Sequence, residues 1–364
     1  MDQVNPKQSI WIEAAVLRRA GGRMSFEPLR LDRPHEDEVL VRLVASGICH
    51  TDIMCWQYGE KGGVVLGHEG AGVVELTGGK VRSVRQGDHV VLSYQSCGRC
   101  RPCTGGQPAD CTHFWELNFG FTRLDGSNAL AANGVRGHFF GQSSFATHTL
   151  ATERNLVKVS KALPLELLAP LGCGLQTGAG TVMNSLAVKA GQSIAIFGTG
   201  AVGLAAVMAA RVVGADPIIG IDIKPKRLAL ARELGATHTL NSSRNHNLEK
   251  KIRDITNTGI DYGVETTGEA ALERLGCRLL NPGGRLAVLT GGSGRDDLPE
   301  GRKVLSVIQG DAVPQRFIPL LIKLHGKGQF PFERLVKFYP FHDIHRAMRD
   351  SLSGKTIKPV LRIA

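Results

Sequence analysis

The stretch "IAIFGTGAVG", residues 194–203, decides the fold of this chain. A short apolar run leads directly into Gly198, Gly200 and Gly203 at the spacing G-x-G-x-x-G, and the residues that follow have helical spacing. Strand, glycine turn and helix in this order predict a dinucleotide-binding βαβ unit, because the helix N-terminus offers unpaired N–H groups to a pyrophosphate. Val202, inside the turn, is expected to lie among the cofactor contacts.

An acidic residue completes the motif. Asp222 ends the next apolar run, "DPIIGID", about twenty positions after the turn. A carboxylate there accepts hydrogen bonds from ribose hydroxyls and repels a 2′-phosphate, so we expect NAD rather than NADP as the cofactor. Arg227 is expected to frame the adenosine, and together with Lys224 it leaves the use of both cofactors open. The alternative is a glycine-rich turn in a structural βαβ unit that binds no cofactor.

The chain has two kinds of sequence pattern. From about Ala190, apolar β-branched runs alternate with helical patterns, which predicts an α/β fold with a doubly wound parallel sheet. Earlier runs such as "EVLVRLVASGI" and "GDHVVLSY" are rich in Val and are separated by Gly, Pro and Asp, which indicates a β-rich, barrel-like domain. The length of 364 residues with 42% hydrophobic content suits two domains with sizeable cores.

Charge and hydropathy argue against two classes of partner. The formal net charge is +11, but the basic residues are dispersed along the chain, so nucleic-acid binding is not expected. No apolar stretch is long enough to span a bilayer, and the first ten residues lack the apolar region of a secretory signal. We therefore expect a cytoplasmic protein without a membrane partner.

Four cysteines share a short segment rich in Gly and Pro. They follow the spacing C-x2-C-x2-C-x7-C and are Cys97, Cys100, Cys103 and Cys111. Four thiolates at this spacing can surround one tetrahedral zinc ion and leave no open position for chemistry, which predicts a structural zinc site. The alternative, a nucleic-acid-binding zinc ribbon, would need more basic and aromatic residues than Arg99 and Arg101 supply.

Three further residues of metal-ligand type stand in glycine-containing segments. Cys49 lies in "SGICHTD", His68 in "LGHEGAG" and Cys173 in "LGCGLQTGAG". A single cysteine is more commonly a small buried apolar residue, and a single histidine is more commonly a hydrogen-bonded structural one. Taken one at a time, therefore, none of the three predicts a metal site.

Together with the glycine turn, these segments resemble the zinc-dependent medium-chain alcohol dehydrogenases over nearly the whole chain. The motifs that carry the resemblance are "GICHTD", "GHEGAGVV", the four-cysteine segment, "GCGLQTGAG", "GTGAVG" and "GKTIKPVLRI". The stretches "HFFGQSSFATHTL", "ELLAPLGCGLQTGAG" and "FPFERLVKFYPF" look closest to bacterial aryl-alcohol (benzyl-alcohol) dehydrogenases. The resemblance implies a GroES-like β-rich catalytic domain over residues 1–174, continued by 309–364, and a Rossmann NAD-binding domain over 175–308. It also implies a homo-oligomer, with a tetramer favoured over a dimer.

The resemblance also assigns roles to individual residues. A catalytic zinc ion would be bound by Cys49, His68 and Cys173, so that two zinc ions per chain are expected. Glu69 would lie beside this metal, and Asp52 would orient the His68 imidazole. The remaining implied contacts are Thr51 for the alcohol proton, His50 and Lys358 for the cofactor pyrophosphate, and Thr177 for the nicotinamide.

The implied reaction is the reversible oxidation of a primary aromatic or allylic alcohol to an aldehyde, with hydride transfer to NAD. Many relatives carry a histidine that takes the alcohol proton to solvent, where this chain has Met54. Methionine cannot titrate, so water or the ribose is the expected proton route. Ser93, Tyr94 and the aromatic stretch "HFWELNFGF" are candidates for the substrate pocket, although ordinary core packing explains that stretch equally well.

Several other functions stay open at this stage. A glutathione-dependent formaldehyde dehydrogenase would need basic pocket residues for the carboxylates of its substrate, and a broad-specificity aliphatic alcohol dehydrogenase would share the same zinc site. A zinc-free quinone reductase is disfavoured because it would lack both sets of metal ligands. A non-catalytic NAD-binding or nucleic-acid-binding protein would bind its ligand without turnover. Cys55 and Cys277 match no ligand position and are expected to be packing residues.

Overall fold

The computed structural model describes residues 9–58, 63–130, 134–244, 247–290 and 298–363. The chain divides into two compact units. The first comprises Met1–Cys173, Val313–Pro319 and Glu333–Ala364, and the second comprises Gly174–Ala312 and Leu320–Phe332. None of the described helices combines the length and the apolar content that a membrane crossing requires.

The first unit is mostly β-structure. Up to residue 173 its elements are β1 Ser9–Leu17, β2 Ser25–Asp32, β3 Glu38–Gly47, α1 His50–Tyr58, β4 Val64–Val65, β5 Gly70–Thr77, β6 His89–Leu92, α2 Arg101–Thr104, α3 Phe114–Phe119, β7 His148–Thr152, β8 Leu156–Val159 and α4 Leu165–Leu168. Within the described ranges, one sheet has the order β2-β1-β4 and a second the order β6-β5-β3 at its centre, with β8 beside β6 and β7 pairing with β3. Every pairing among these strands is antiparallel.

The Val-rich runs form the centre of this unit, as their pattern predicts. Alternate side chains of β3, including Val39, Val41 and Leu43, pack into one apolar cluster with Val90 and Leu92 of β6. Because successive side chains of a strand point to opposite faces, this alternation buries one face of each strand.

The second unit contains a parallel sheet flanked by helices. Its elements are α5 Gly174–Gly180, β9 Ile194–Phe197, α6 Ala201–Val213, β10 Ile218–Asp222, α7 Pro225–Leu234, β11 His238–Asn241, α8 Leu248–Thr256, β12 Ile260–Glu265, α9 Ala270–Leu279, β13 Leu280–Val288 and β14 Lys303–Ser306. Among the residues that the structure describes, the strand order is β11-β10-β9-β12-β13-β14, and each pairing is parallel. The predicted doubly wound parallel sheet is thus confirmed.

Four further helices and strands follow β14: α10 Pro314–Gly326, β15 Val336–Pro340, α11 Ile344–Leu352 and β16 Lys358–Arg362. β16 pairs antiparallel with β3 and parallel with β15, so the C-terminal residues join the central sheet of the first unit. This pairing brings Lys358 next to the end of β3, where the segment that carries Cys49 begins.

The glycine turn between β9 and α6 depends on a close backbone approach. A Cβ placed on Gly203 would lie 1.8 Å from the carbonyl oxygen of Gly198, whereas a Cβ on Gly200 would come no closer than 3.9 Å to any other group, the nearest being the guanidinium of Arg227. Gly198 has a φ of +91°, in the region that glycine favours. The first glycine is therefore required by its backbone conformation and the third by packing, whereas the second leaves open space for a ligand.

This difference predicts that alanine destabilises the fold at Gly203 but not at Gly200. Gly203→Ala should lower the midpoint of urea unfolding and destabilise the fold by about 1–3 kcal/mol, because the new methyl group overlaps the backbone. Gly200→Ala is the matched control: it loses the same backbone freedom in the unfolded chain and meets no close atom, so its midpoint should stay near that of the wild type. Equal midpoints for the two variants would contradict the packing argument.

Candidate active site

The four clustered cysteines converge as their spacing predicts. The sulfur atoms of Cys97, Cys100, Cys103 and Cys111 all lie within 4.8 Å of one another. The backbone N–H of Cys97 donates to Cys111 Sγ at 3.3 Å, and that of Cys100 donates to Cys97 Sγ at 3.4 Å. The donor set and the spacing fit a closed tetrahedral zinc site.

A second group of metal-ligand side chains forms from three distant segments. Cys49 directly precedes α1, His68 and Glu69 directly precede β5, and Cys173 follows α4. The candidate ligand atoms of these four residues lie within 4.8 Å of one another, and His68 and Glu69 are fully buried. The structure therefore brings together the four residues that the resemblance implied around a catalytic metal.

A buried carboxylate joins two of these segments. Asp52, in the first turn of α1, accepts hydrogen bonds from the N–H of Cys49 at 2.8 Å and from the N–H of Gly67 at 3.0 Å. The same carboxylate lies 3.0 Å from Nδ1 of His68. The bond back to Cys49 resembles a capping box, which satisfies a donor at the start of a helix. Asp52 thus orients the imidazole, in the geometry that the sequence resemblance implied.

The third segment is held by a different residue. Ser93 Oγ donates to the carbonyl oxygen of Gly172 at 2.6 Å, directly before Cys173. A Cβ on Gly172 would lie 2.0 Å from the carbonyl of Leu92, so glycine is required for the segment to pass so close to β6. Tyr94, the neighbour of Ser93, is also buried and packs against Phe114.

Lys358 occupies a position that sequence reasoning did not anticipate. Its ammonium group is buried and lies 2.6 Å from Glu69 Oε1 and 3.3 Å from the carbonyl oxygen of Ile48. Burial raises the pKa of Glu69 to about 7, although Lys358 opposes the shift. Burial lowers the pKa of Lys358, but the charges of Glu69 and Cys49 outweigh it and raise the pKa above its usual value. A contact of Lys358 with a pyrophosphate stays a prediction.

Electrostatics within the second group favour an anionic sulfur. A hydrogen bond from the Cys173 thiol lowers the pKa of Cys49 well below its usual value, and His68 adds to this effect. Burial by itself lowers the pKa of His68, but Asp52 and Cys49 outweigh it and raise the pKa to about 10. These shifts favour the thiolate form of Cys49, which is the form of cysteine that binds a metal cation.

One atom in this cluster tests whether a metal fits. Nε2 of His68 is buried, and within the described residues it has no hydrogen-bond partner. One ring nitrogen of His68 lies within 4.8 Å of the sulfur atoms of Cys49 and Cys173, and Nδ1 is already bonded to Asp52. Leaving a buried polar nitrogen unpaired costs roughly 1–3 kcal/mol. Two sulfur atoms and one imidazole nitrogen are ligands that zinc accepts in catalytic sites, and with three protein ligands one position stays open. The residues present therefore fit a catalytic zinc ion.

Aromatic side chains surround His68. The Phe140 ring stacks on the imidazole with centroids 4.4 Å apart and an interplanar angle of 24°, and Phe139 meets it edge-on at 5.4 Å. Phe119, from the stretch "HFWELNFGF", packs against both phenylalanines. This stretch therefore belongs to a buried cluster next to the candidate metal site, whereas Trp115 is 66% exposed.

The loop that carries Phe140 has an uncommon backbone. His138, Phe140 and Ser143 have φ values of 63°, 53° and 57°, in the left-handed region that side chains rarely adopt. Each such residue costs on the order of 1–2 kcal/mol. Gln142 offsets this cost, since its Nε2 donates to the carbonyls of His68 at 2.9 Å and Ser93 at 3.0 Å. The motif "HFFGQSSF" in this loop carries part of the family resemblance, but no pattern in the sequence indicated the contacts of Gln142.

In the second unit, the candidate nucleotide residues gather at the carboxyl end of the sheet. Asp222 Oδ2 accepts hydrogen bonds from the N–H and the hydroxyl of Thr199 at 2.8 and 3.0 Å, and Arg227 lies 3.8 Å from the same oxygen. Thr266 Oγ1, after β12, donates to the carbonyl of Phe197 at 2.9 Å. β9 and β12 are adjacent, and the strands that follow each of them along the chain lie on opposite sides of this pair. Open α/β sheets bind ligands at the carboxyl ends of such a strand pair. The glycine turn with Val202 lies at this point.

The remaining predicted residues occupy simpler positions. Thr51 Oγ1 lies 3.8 Å from Cys49 Sγ, close to the candidate metal ligands. His50 is exposed at the start of α1, and Met54 in the same helix is 47% exposed. Thr177 lies in α5 of the second unit and is half-buried. Cys277 is fully buried in the core of that unit, as expected of a packing residue.

Comparisons with known proteins agree with this arrangement. Residues 35–161 match the alcohol dehydrogenase GroES-like domain, and residues 201–311 match the zinc-binding dehydrogenase family. A geraniol dehydrogenase from Castellaniella defragrans is 45% identical over 96% of this chain and 97% of its own length.

Two solved structures resemble this one closely. The crystal structure of an alcohol dehydrogenase zinc-binding domain protein from Burkholderia ambifaria has 50% sequence identity and a TM-score of 0.93, covering 98% of this chain and 100% of its own. Benzyl alcohol dehydrogenase from Acinetobacter calcoaceticus has 43% identity and a TM-score of 0.93 at the same coverage. The resemblance and the fold class expected from the sequence are confirmed. This chain belongs to the zinc-binding medium-chain alcohol dehydrogenases, with a GroES-like domain and a Rossmann domain.

Proposed function

We propose that this chain oxidises primary aromatic or allylic alcohols to aldehydes, with NAD as the hydride acceptor and two zinc ions per chain. The observation that carries the proposal is the buried group of Cys49, His68 and Cys173 with aromatic rings packed beside it. The similarity to a geraniol dehydrogenase and to a benzyl alcohol dehydrogenase supports an allylic or aromatic alcohol as the substrate.

The residues of the first unit would bind and orient the reacting groups. Cys49, His68 and Cys173 would hold the catalytic zinc ion, which when bound supplies Lewis-acid chemistry toward an alcohol oxygen. Asp52 keeps the imidazole directed at the ligand group, since it fixes Nδ1. Thr51 has its hydroxyl close to Cys49, where it can accept the alcohol proton in a hydrogen bond.

The second unit would bind the cofactor. Gly198, Gly200, Val202 and Gly203 would place backbone N–H groups against a pyrophosphate at the start of α6. Asp222 is positioned by Thr199 to accept hydrogen bonds from the adenosine ribose, which favours NAD. Contacts of His50 and Lys358, which belong to the first unit, with the pyrophosphate and of Thr177 with the nicotinamide stay predictions.

Two finer statements about the protein stay predictions. A homotetramer is favoured over a dimer, and sedimentation velocity of the purified protein distinguishes the two. The cytoplasmic location expected from the sequence is tested by fractionation of the cells that express the chain.

The substrate preference gives the first test. The ratio of kcat/KM for benzyl alcohol or geraniol to that for ethanol, measured with NAD at fixed pH, should exceed roughly 10, because each additional apolar contact in a pocket contributes to discrimination. The same assay with NADP should give lower values, since Asp222 repels a 2′-phosphate. Comparable values for all three alcohols would instead indicate a broad-specificity aliphatic enzyme.

The glutathione-dependent alternative is tested in the same assay. S-hydroxymethylglutathione carries carboxylates and requires basic residues in the pocket, whereas the side chains that pack against His68 of the candidate metal group include the aromatic rings of Phe139 and Phe140. We therefore expect this adduct to be a poorer substrate than benzyl alcohol. The reverse order would make the formaldehyde-oxidising activity the better assignment.

Metal content separates the two proposed zinc sites. Wild-type protein should contain two zinc ions per chain by plasma mass spectrometry, and both Cys103→Ala and Cys173→Ala should contain one. Cys173→Ala should abolish turnover while largely preserving the unfolding midpoint, whereas Cys103→Ala should lower that midpoint, because a structural zinc ion contributes to folding. Cys55→Ala is the control and should retain two zinc ions. A Cys173→Ala protein that retains two would contradict the ligand assignment.

Met54 gives a prediction about the proton route. With methionine at this exposed position, the dependence of kcat on pH should lack a step from a relay histidine. Met54→His should raise kcat or add a step near the usual histidine pKa of about 6.5. Met54→Gln, which cannot titrate, is the matched control and should behave like the wild type. An unchanged rate and pH profile in Met54→His would count against a relay at this position.

A further inference from the structure

We propose that Phe140 is a positioning residue for the metal centre: its ring holds the plane of the His68 imidazole so that Nε2 points at the sulfur atoms of Cys49 and Cys173. The inference rests on the proposed function, because it assumes that these three residues bind zinc. It adds a residue that controls the geometry of a ligand without touching the metal.

The hydrogen bond to Asp52 is not sufficient to fix the imidazole ring. It holds one atom, Nδ1, at 3.0 Å, and the ring is otherwise attached only through its Cβ–Cγ bond, so small coupled changes of the side-chain torsions can still tilt the ring plane. Phe140 lies against the face of the ring at a centroid distance of 4.4 Å and an angle of 24°, so it blocks such a tilt on that side. Phe139 meets the imidazole at 88°, edge to face. The two rings and the carboxylate together determine one orientation.

The backbone of Phe140 indicates that its ring position is specified by the loop. Phe140 has φ 53° and ψ 33°, a left-handed conformation that is rare for a bulky side chain. Such residues persist only where the surrounding structure holds them, and they occur disproportionately at functional sites. Here the neighbouring Ser143 Oγ donates to the carbonyl of Val65 at 2.6 Å and accepts from the N–H of Phe139 at 2.9 Å.

The same loop is fastened to the main chain of His68. Gln142 donates from Nε2 to the carbonyl oxygen of His68 at 2.9 Å, and its Oε1 accepts from the N–H of Gly70 at 3.1 Å. The backbone and the ring of His68 are therefore both held by residues of one six-residue loop, 138–143. Phe140 and Gln142 are only two residues apart. A displacement of the loop would therefore move the ring contact of Phe140 and the backbone contact of Gln142 together, so that the stacking on His68 is maintained.

The chain offers a matched control for this inference. Phe121 belongs to the same aromatic cluster and is buried to a similar degree, with 5% of its surface exposed against 3% for Phe140. It has the same left-handed backbone, with a φ of 56°, and it stacks on Phe139 at 5.4 Å. No ring contact joins it to His68 within the described residues. Phe→Leu at either position keeps a large apolar side chain and removes an aromatic ring.

The test measures release of zinc from the intact protein to the chromophoric chelator 4-(2-pyridylazo)resorcinol. Wild type, Phe140→Leu, Phe121→Leu and His68→Ala are loaded with zinc, and each release trace is followed over time. His68→Ala identifies the phase that belongs to the catalytic site, and the remaining phase reports the four-cysteine site of the same molecule. We expect Phe140→Leu to release catalytic zinc about 10-fold faster, the size of effect typical of residues that orient a metal ligand. Release from the four-cysteine site of Phe140→Leu should occur at the wild-type rate. Phe121→Leu should show wild-type rates in both phases.

A second readout reports geometry directly. With cobalt(II) in place of zinc, the visible ligand-field bands of the catalytic site should shift in Phe140→Leu and stay unchanged in Phe121→Leu, because these bands depend on the direction of the imidazole ligand. Phe140→Met serves in the same measurements as a second variant of similar volume if Phe140→Leu does not fold.

The outcomes separate the inference from the function on which it rests. The positioning role would be overturned if Phe140→Leu released catalytic zinc at the wild-type rate, or if Phe121→Leu released it as fast as Phe140→Leu. Either result would leave the metal assignment intact. A wild-type protein that releases only one zinc ion per chain, all of it from the four-cysteine site, would overturn the proposed function itself.

Discussion

The carboxylate of Asp52 is the interaction on which the candidate active site depends. It is fully buried, and it holds the N–H of Cys49, the N–H of Gly67 and the imidazole of His68 through hydrogen bonds of 2.8 to 3.0 Å. A buried carboxylate without such donors would cost several kcal/mol, so the two segments that carry these donors must approach together for the fold to form. The position of two metal-ligand side chains thus follows from the need to satisfy one buried charge.

Other polar contacts bring the rest of the site to this centre. Ser93 holds the segment before Cys173, and Lys358 on β16 compensates the charge of Glu69 deep in the same unit. The loop that contains Gln142 covers the group with aromatic rings and retains an uncommon backbone conformation in order to do so. Contacts of this kind hold the candidate metal ligands and the neighbouring rings in one arrangement, as a binding site requires.

The candidate nucleotide site is organised by local contacts. The glycine turn, α6 and the acidic end of β10 are close in sequence, and Thr199 connects the turn to Asp222 through two hydrogen bonds. The packing of Gly203 against Gly198 leaves no room for a side chain, while the space at Gly200 stays open. The geometry needed to accept a pyrophosphate therefore arises within about thirty residues, as is usual for this kind of βαβ unit.

Short-range periodicity and spacing were enough to predict three features: the parallel sheet around "IAIFGTGAVG", the acidic partner Asp222, and the convergence of four cysteines from Cys97 to Cys111. Residue patterns encode these because the interacting groups are near one another along the chain. Three other contacts became visible in the folded chain: Lys358 pairs with Glu69, Phe140 stacks on His68, and Gln142 bonds the loop of Phe140 to the main chain of His68. Those partners lie 72 to 289 positions apart, and no local preference of Lys, Phe or Gln specifies which distant group each will meet.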